Sequence, residues 1–215
     1  MRNLIIVGAG GYFLELYEYI QNDINQGHLN NLIVKGVLDD KKPVDTCGLP
    51  YLGPIGGYNI GADDIFILAI GNTLHRKVIF ENLKTKGASF FTFIHSSALV
   101  SPSAELGDGV IVCPFSIVNA KAKVGHNVSV NVNVSVGHEA VVGDHCVLSP
   151  YSALNGAASL EHGGFLGTRA TIFPRISVDA QCTIDSHTAV RRNIAAKQIV
   201  TEKVSLVSVT NRFLR

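Results

Sequence analysis

No stretch of eighteen uninterrupted apolar residues occurs in this sequence, so a membrane-crossing helix is not expected. The start of the chain carries no charged segment followed by a long apolar core and a small-residue cleavage site, so no secretory leader is expected either. Basic residues form no run and the formal net charge is only +1, which argues against nucleic acid or an anionic membrane as a partner. The four cysteines, Cys47, Cys113, Cys146 and Cys182, lack paired spacing and read as reduced structural thiols. What these absences leave is a soluble cytoplasmic protein. Its 215 residues suffice for one or two domains with a substantial core.

What is present is a six-residue beat. From Val100, steps of six reach Leu106, Val112, Val118, Val124, Val130, Val136, Val142, Leu148 and so on to Val190, and every position is Val, Leu or Ile. Such a register has chance odds of about 10⁻⁸. Four residues later runs a second beat of mostly small residues, among them Ala104, Ser116, Ala122, Ala140, Cys146, Ala158 and Cys182. Neither a helix nor a long flat strand has a period of six. A solenoid of short strands separated by corners does, with eighteen residues to a triangular coil and one branched and one small side chain inward per hexad. Coils spaced as parallel strands make this run a column about 24 Å tall. The repeat resembles that of hexapeptide-repeat acyltransferases, and the resemblance implies a left-handed parallel β-helix.

Residues 1–95 have another rhythm. Asn3–Val7 is an apolar run ending in Gly8-Ala9-Gly10-Gly11, and a helical pattern follows from Tyr12 to Asn22. Leu32–Leu38 ends at Asp39-Asp40, and Asp64–Ile70 ends at Gly71-Asn72. A helix over Leu74–Thr85 and a fourth strand over Ser89–Ile94 complete a small Rossmann-like parallel sheet. Its three punctuated strand ends share one edge, where such sheets bind ligands. Gly8 and Gly10 supply two glycines of a dinucleotide fingerprint, but Phe13 stands at the third position, and the turn alone fits a tight β–α connection equally well. With no second mononucleotide half, the expected ligand is one nucleotide and not a redox cofactor.

Several motifs now bear on family: Ile5–Gly11, Leu38-Asp39-Asp40, Ala69-Ile70-Gly71-Asn72, Ile94-His95-Ser96-Ser97-Ala98, Asn119–Lys123, and Gly137-His138-Glu139 through Asp144. Together they resemble the bacillosamine N-acetyltransferase and sialic acid O-acetyltransferase family over nearly the whole chain, to about residue 194. The resemblance implies a nucleotide-sugar-binding domain at 1–95, a β-helix acyltransferase domain at 96–194 and a C-terminal tail at 195–215. It places Gly10, Gly11 and Tyr12 at the diphosphate or sugar, Asp39 and Asp40 at the nucleoside, and Gly71 in the same cleft.

Acyl transfer needs a base for the acceptor's proton, and a neutral imidazole suits neutral pH. His138 falls at a corner, two residues past the inward Val136, with Ala120 and Gly156 as its small vertical neighbours eighteen residues away. The family's catalytic base stands at the position of His138, and its base partner at that of Glu139. Asn131 matches a family asparagine near the acceptor. For the co-substrate acetyl-CoA, the resemblance implies contacts at Gly156, Gly167 and Thr168, with Ser186 near the cofactor's far end, and a homotrimer with active sites between subunits. Two departures stand out. Val147 replaces a family histidine, with His145 close by, and Asp185-Ser186 replaces glycines. Arg191 and Arg192 fit either cofactor phosphates or a solvated corner.

Other functions stay open at this stage. One is O-acetylation of sialic acid or another sugar hydroxyl. Another is a catalytically silent sugar-binding scaffold. A zinc site on His126, Asp144 and His162, stacked at eighteen-residue steps, lacks the close second histidine pair of β-helix carbonic anhydrases, so no metal is expected. The tail is expected to cap the open end of the solenoid.

Overall fold

The computed structural model describes residues 1–202. Five parallel strands open the chain: β1 (Arg2–Val7), β2 (Leu32–Leu38), β3 (Tyr51–Gly53), β4 (Asp64–Leu68) and β5 (Ser89–Phe90), in the order β3-β2-β1-β4-β5. Alternation along β1 sorts its side chains to two faces. Leu4 and Ile6 pack with Phe13, Leu16 and Ile20 of helix α1 (Gly11–Asn25). Ile5 and Val7 pack with Phe80 and Leu83 of helix α2 (Thr73–Thr85). Both helices therefore begin at the same sheet edge, just past the strand ends.

From Phe93 onward the chain makes two-residue strands at six-residue intervals, stacked into three parallel sheets of six, five and seven strands. The pairing register is eighteen residues as far as Ile172↔Val190, as in Ser135↔Ala153 and Val141↔Ser159, and shortens to sixteen at Thr183↔Ile199. The fold is the left-handed parallel β-helix joined to a small α/β domain that the beat and the motifs imply. Its longest sheet spans about 29 Å, a coil more than expected. The inward aliphatics from Val112 to Val190 are buried, as are Ala122, Ala140, Cys146 and Ala158 on the small beat. At the corners Lys121, Asn127, Asn133, Glu139, His145, Tyr151 and Ala157 sit at φ between 53° and 63°, again every six residues. None is β-branched, as the left-handed backbone region demands.

The structure departs from expectation in five places. Strand β3 is an added fifth strand, β4 stops at Leu68, and α1 runs three residues past Asn22. The expected strand Ser89–Ile94 divides in two. Ser89–Phe90 pairs with β4, whereas Phe93–Ile94 pairs with Ile111–Val112 and starts the β-helix. The coils thus open before residue 96, and they continue past 194 to Ile199–Val200, which pairs with Thr183–Ile184. Of the tail 195–215, expected to cap the solenoid, residues 195–202 continue its last coil and Lys203–Arg215 lie outside the described residues.

The two parts share one continuous core, since Phe93, Ile111 and Cys113 join the α1 cluster. The buried Asp23 of α1 accepts hydrogen bonds from the Ser96 amide (2.9 Å) and hydroxyl (2.7 Å). All of these contacts involve the seven-stranded sheet or the corners beside it. The α/β domain therefore covers one face of the triangular prism. No helix among the described residues is long and apolar enough to cross a membrane.

Candidate active site

An open cleft of about 520 Å³ lies at the ends of β1, β2 and β4. Its wall includes Gly10, Gly11, Asp39, Asp40, Gly71 and Asn72. Gly8, at φ 96°, lets two loops touch, because a Cβ there would sit 2.8 Å from the Ile70 side chain. A Cβ on Gly10, Gly11 or Gly71 would meet nothing within 4 Å, so bare backbone faces the space. Gly10 stands at the N-cap position of helix α1 and offers no side-chain cap, leaving the first amides of the helix free for an anion. The start of α2 is capped by Asn72, whose side chain accepts from the His75 amide at 2.9 Å.

Three of the expected cleft residues do more local work than the sequence implied. Asp39 accepts from the Ala9 amide (2.8 Å) and the Lys41 amide (2.9 Å), tying the glycine turn to the end of β2. Asp40 accepts from the Ile55 amide at 3.0 Å. Tyr12 lines the cleft, but its hydroxyl bonds Ser129 of the β-helix at 2.7 Å. Burial holds that phenol well above its usual pKa. Sequence reasoning missed Ile55, His75 and Ile79 as wall residues. The N-cap pattern at Asn72 was a signal for His75; nothing short of β3 and the turn after it placed Ile55.

His138 stands on the prism edge opposite the covered face, between the six- and five-stranded sheets. Glu139 takes the left-handed corner conformation (φ 57°), which swings its carboxylate to 3.1 Å from His138 Nδ1. Adjacent strand residues would point apart; the corner brings them together. With the carboxylate accepting, the neutral imidazole holds its proton on Nδ1 and leaves the lone pair on Nε2. Nε2 faces Gly156, where an added Cβ would lie only 2.5 Å away. Coil hydrogen bonds fix the height of the pair, with the Glu139 amide on Ala120 O (3.0 Å) and the Ala157 amide on His138 O (2.8 Å). Both side chains are largely exposed, His138 at 68%.

The remaining expected residues do not gather around His138 within one chain. Asn131, Thr168 and Ser186 lie along the edge between the seven- and six-stranded sheets, a full face away. Asn131 turns its Oδ1 to the Val132 amide at 2.8 Å. Gly167 meets a packing need of its own, since a Cβ there would be 2.6 Å from the Ser186 amide nitrogen. Asp185 accepts from the Ser186 amide and from the Thr201 hydroxyl. His145 offers no replacement for the missing histidine at Val147. It is buried against the α/β domain, at 3.0 Å from the Asn127 amide group and 3.4 Å from Glu81, and burial lowers its pKa. Burial pushes the Cys113 and Cys146 thiols up to about 12, which disfavours a thiolate nucleophile. Among the described residues no group of three or more His, Cys, Asp or Glu could hold a metal ion, His126, Asp144 and His162 included.

Comparison with known proteins extends the resemblance carried by the motifs. Residues 3–83 match the PglD N-terminal domain family. The chain is 33% identical over 117 residues to UDP-N-acetylbacillosamine N-acetyltransferase of Bacillus subtilis (strain 168). That match takes in 52% of this chain and 51% of the relative, so it spans about half the length of each. Among solved structures, PerB from Caulobacter crescentus, in complex with CoA and GDP-perosamine, superposes with a TM-score of 0.82 at 26% identity, covering 93% of both chains. The acetyltransferase domain of PglB from Neisseria gonorrhoeae, in complex with acetyl coenzyme A, gives a TM-score of 0.81 at 26% identity, covering 91% of this chain and 93% of that one.

Proposed function

From a PglD-type N-terminal domain set on a β-helix like those of PerB and PglB, we propose that this protein is an acetyl-CoA-dependent N-acetyltransferase acting on a nucleotide-linked amino sugar, in the synthesis of surface glycans in the cytoplasm. The observation that carries the reading is the His138–Glu139 corner, which pairs Nδ1 with a carboxylate and turns Nε2 into a gap kept open by Gly156. His138 is the general base and Glu139 its orienting partner. The sugar amine attacks the thioester carbonyl and forms the C–N bond. Nε2 takes the amine proton, and Glu139 stabilises the resulting imidazolium. The C–S bond then breaks, and the proton returns to the leaving thiolate. Free amides at Gly10 and Gly11 suit a diphosphate, while Asp39, Asp40 and Gly71 frame the nucleoside end.

One chain does not suffice for this chemistry, because its cleft and its His138 lie on opposite sides of the prism. A homotrimer would bring the cleft and the Asn131, Thr168 and Ser186 edge of one copy to the His138 and Gly156 edge of the next. Exposed Leu99, Phe115, Ile117, Val141 and Tyr151 on or beside the uncovered faces fit burial in such an assembly.

Thiol release from acetyl-CoA, measured against UDP-, dTDP- and GDP-linked amino sugars and free sialic acid, tests the reaction. Release with a nucleotide-amino sugar is the expected outcome. Release only with a hydroxyl acceptor would replace N- by O-acetylation. Silence across the panel, with both ligands bound, would make the protein a scaffold.

A further inference from the structure

The cleft has an electrostatic puzzle. Its wall carries two carboxylates, Asp39 and Asp40, and neither lysine nor arginine. One layer behind it lies Arg76, in the first turn of α2 and 0% exposed. Its Nη1 donates to the carbonyl of Ile70, a wall residue, and its Nε donates to Asn127 O at 2.9 Å. Nη2 has no hydrogen-bond partner. Among the described residues no carboxylate pairs with Arg76. The groups closest to it electrically are the Tyr12 phenol and the Cys146 thiol, both kept neutral by burial. Burial lowers the guanidinium to about 10, so it stays charged at neutral pH. An unpaired buried cation is unfavourable to folding, and an apolar side chain would fill the seam without that penalty.

We propose that Arg76 is the counter-charge of the cleft, a positioning residue that acts through the Ile70–Asn72 loop to favour a nucleoside diphosphate over an uncharged nucleoside. This rests on the cleft being the nucleotide site. The ligand's charge completes the pair that the protein leaves open. Low-dielectric surroundings on the protein side keep the attraction strong although the groups do not touch.

Calorimetric binding of UDP, dTDP and GDP, and of the matching nucleosides, to the full chain and to Arg76→Met and Arg76→Lys tests the idea. In Arg76→Met the favoured diphosphate should bind about 10- to 100-fold more weakly and its nucleoside within about threefold of native. Arg76→Lys should keep most of the preference, and in turnover Arg76→Met should raise KM for the nucleotide substrate with kcat unchanged. Equal losses for nucleoside and diphosphate would reveal a purely structural arginine and overturn the proposal. If Arg76→Met does not fold, the native chain decides. A buried charge is little screened, so its diphosphate preference should shrink less than about threefold between about 50 and 500 mM salt, and collapse would refute it. Failure of every diphosphate to bind removes the cleft reading as well, whereas binding without acetyl transfer removes only the reaction.

Discussion

His138 and His145 occupy adjoining corners of one β-helix, seven residues apart; His145 takes the left-handed corner place itself (φ 63°), and His138 stands one residue before its counterpart Glu139 (φ 57°). The first is 68% exposed on a bare edge, beside a carboxylate that fixes its tautomer. The second is only 6% exposed, pressed by Phe80 and bonded into the domain seam. The repeat gives both corners the same backbone shape, and coverage by the α/β domain makes them different. In this solenoid, chemistry is assigned by which edge the neighbouring domain leaves open.

The severest test removes the exposed member. His138→Ala should lower turnover by about 10²–10⁴ while the thermal midpoint and cooperative unfolding stay native. Near-normal turnover in the folded variant would end the comparison. Gly156→Ala sharpens it, because the new methyl falls on Nε2 and must displace the imidazole. A fall in kcat of about 10²-fold is expected, with acetyl-CoA still bound, and stopped-flow turnover with parallel binding titration checks it. The smallest effect belongs to the buried member. Burial lowers the His145 pKa below 6.5, against the opposing pull of Asp144 and Glu81 and with Arg76 and Lys77 assisting. The unfolded chain therefore binds the proton more readily. This contribution to stability is complete above about pH 6.5 and declines as pH falls from there toward the folded pKa. Melting curves of native and His145→Gln protein between pH 7.5 and 5.5 should converge by about 2 °C at the acid end.

The β-helix was legible because one register of inward aliphatics repeats without a slip, and every stacking relation then follows by adding eighteen. That arithmetic puts Gly156 beside His138, where the structure has it. The α/β part was legible where strands are long and end in glycine or acid. It failed at Tyr51–Gly53, three residues that pair only because β2 offers them an edge. It failed again at Ser89–Ile94, whose two halves belong to different sheets although they read as one apolar run. Arg76 escaped notice, and His145 was noticed without its burial, for a related reason. Burial of a polar side chain in a domain seam has no local pattern, since Arg76 meets Asn127 fifty-one residues away in the chain.

The corner geometry also constrains how this chain can change length. Six extra residues would satisfy the core beat, yet they would turn every later coil by a third of a revolution. His138 would then rotate from the bare edge toward the face that the α/β domain covers. Eighteen extra residues would preserve its bearing and raise it by one strand spacing, about 4.8 Å. Folding therefore tolerates insertions in sixes, whereas the azimuth of the base tolerates them only in eighteens, and rotational phase becomes a heritable property of the chain separate from its stability.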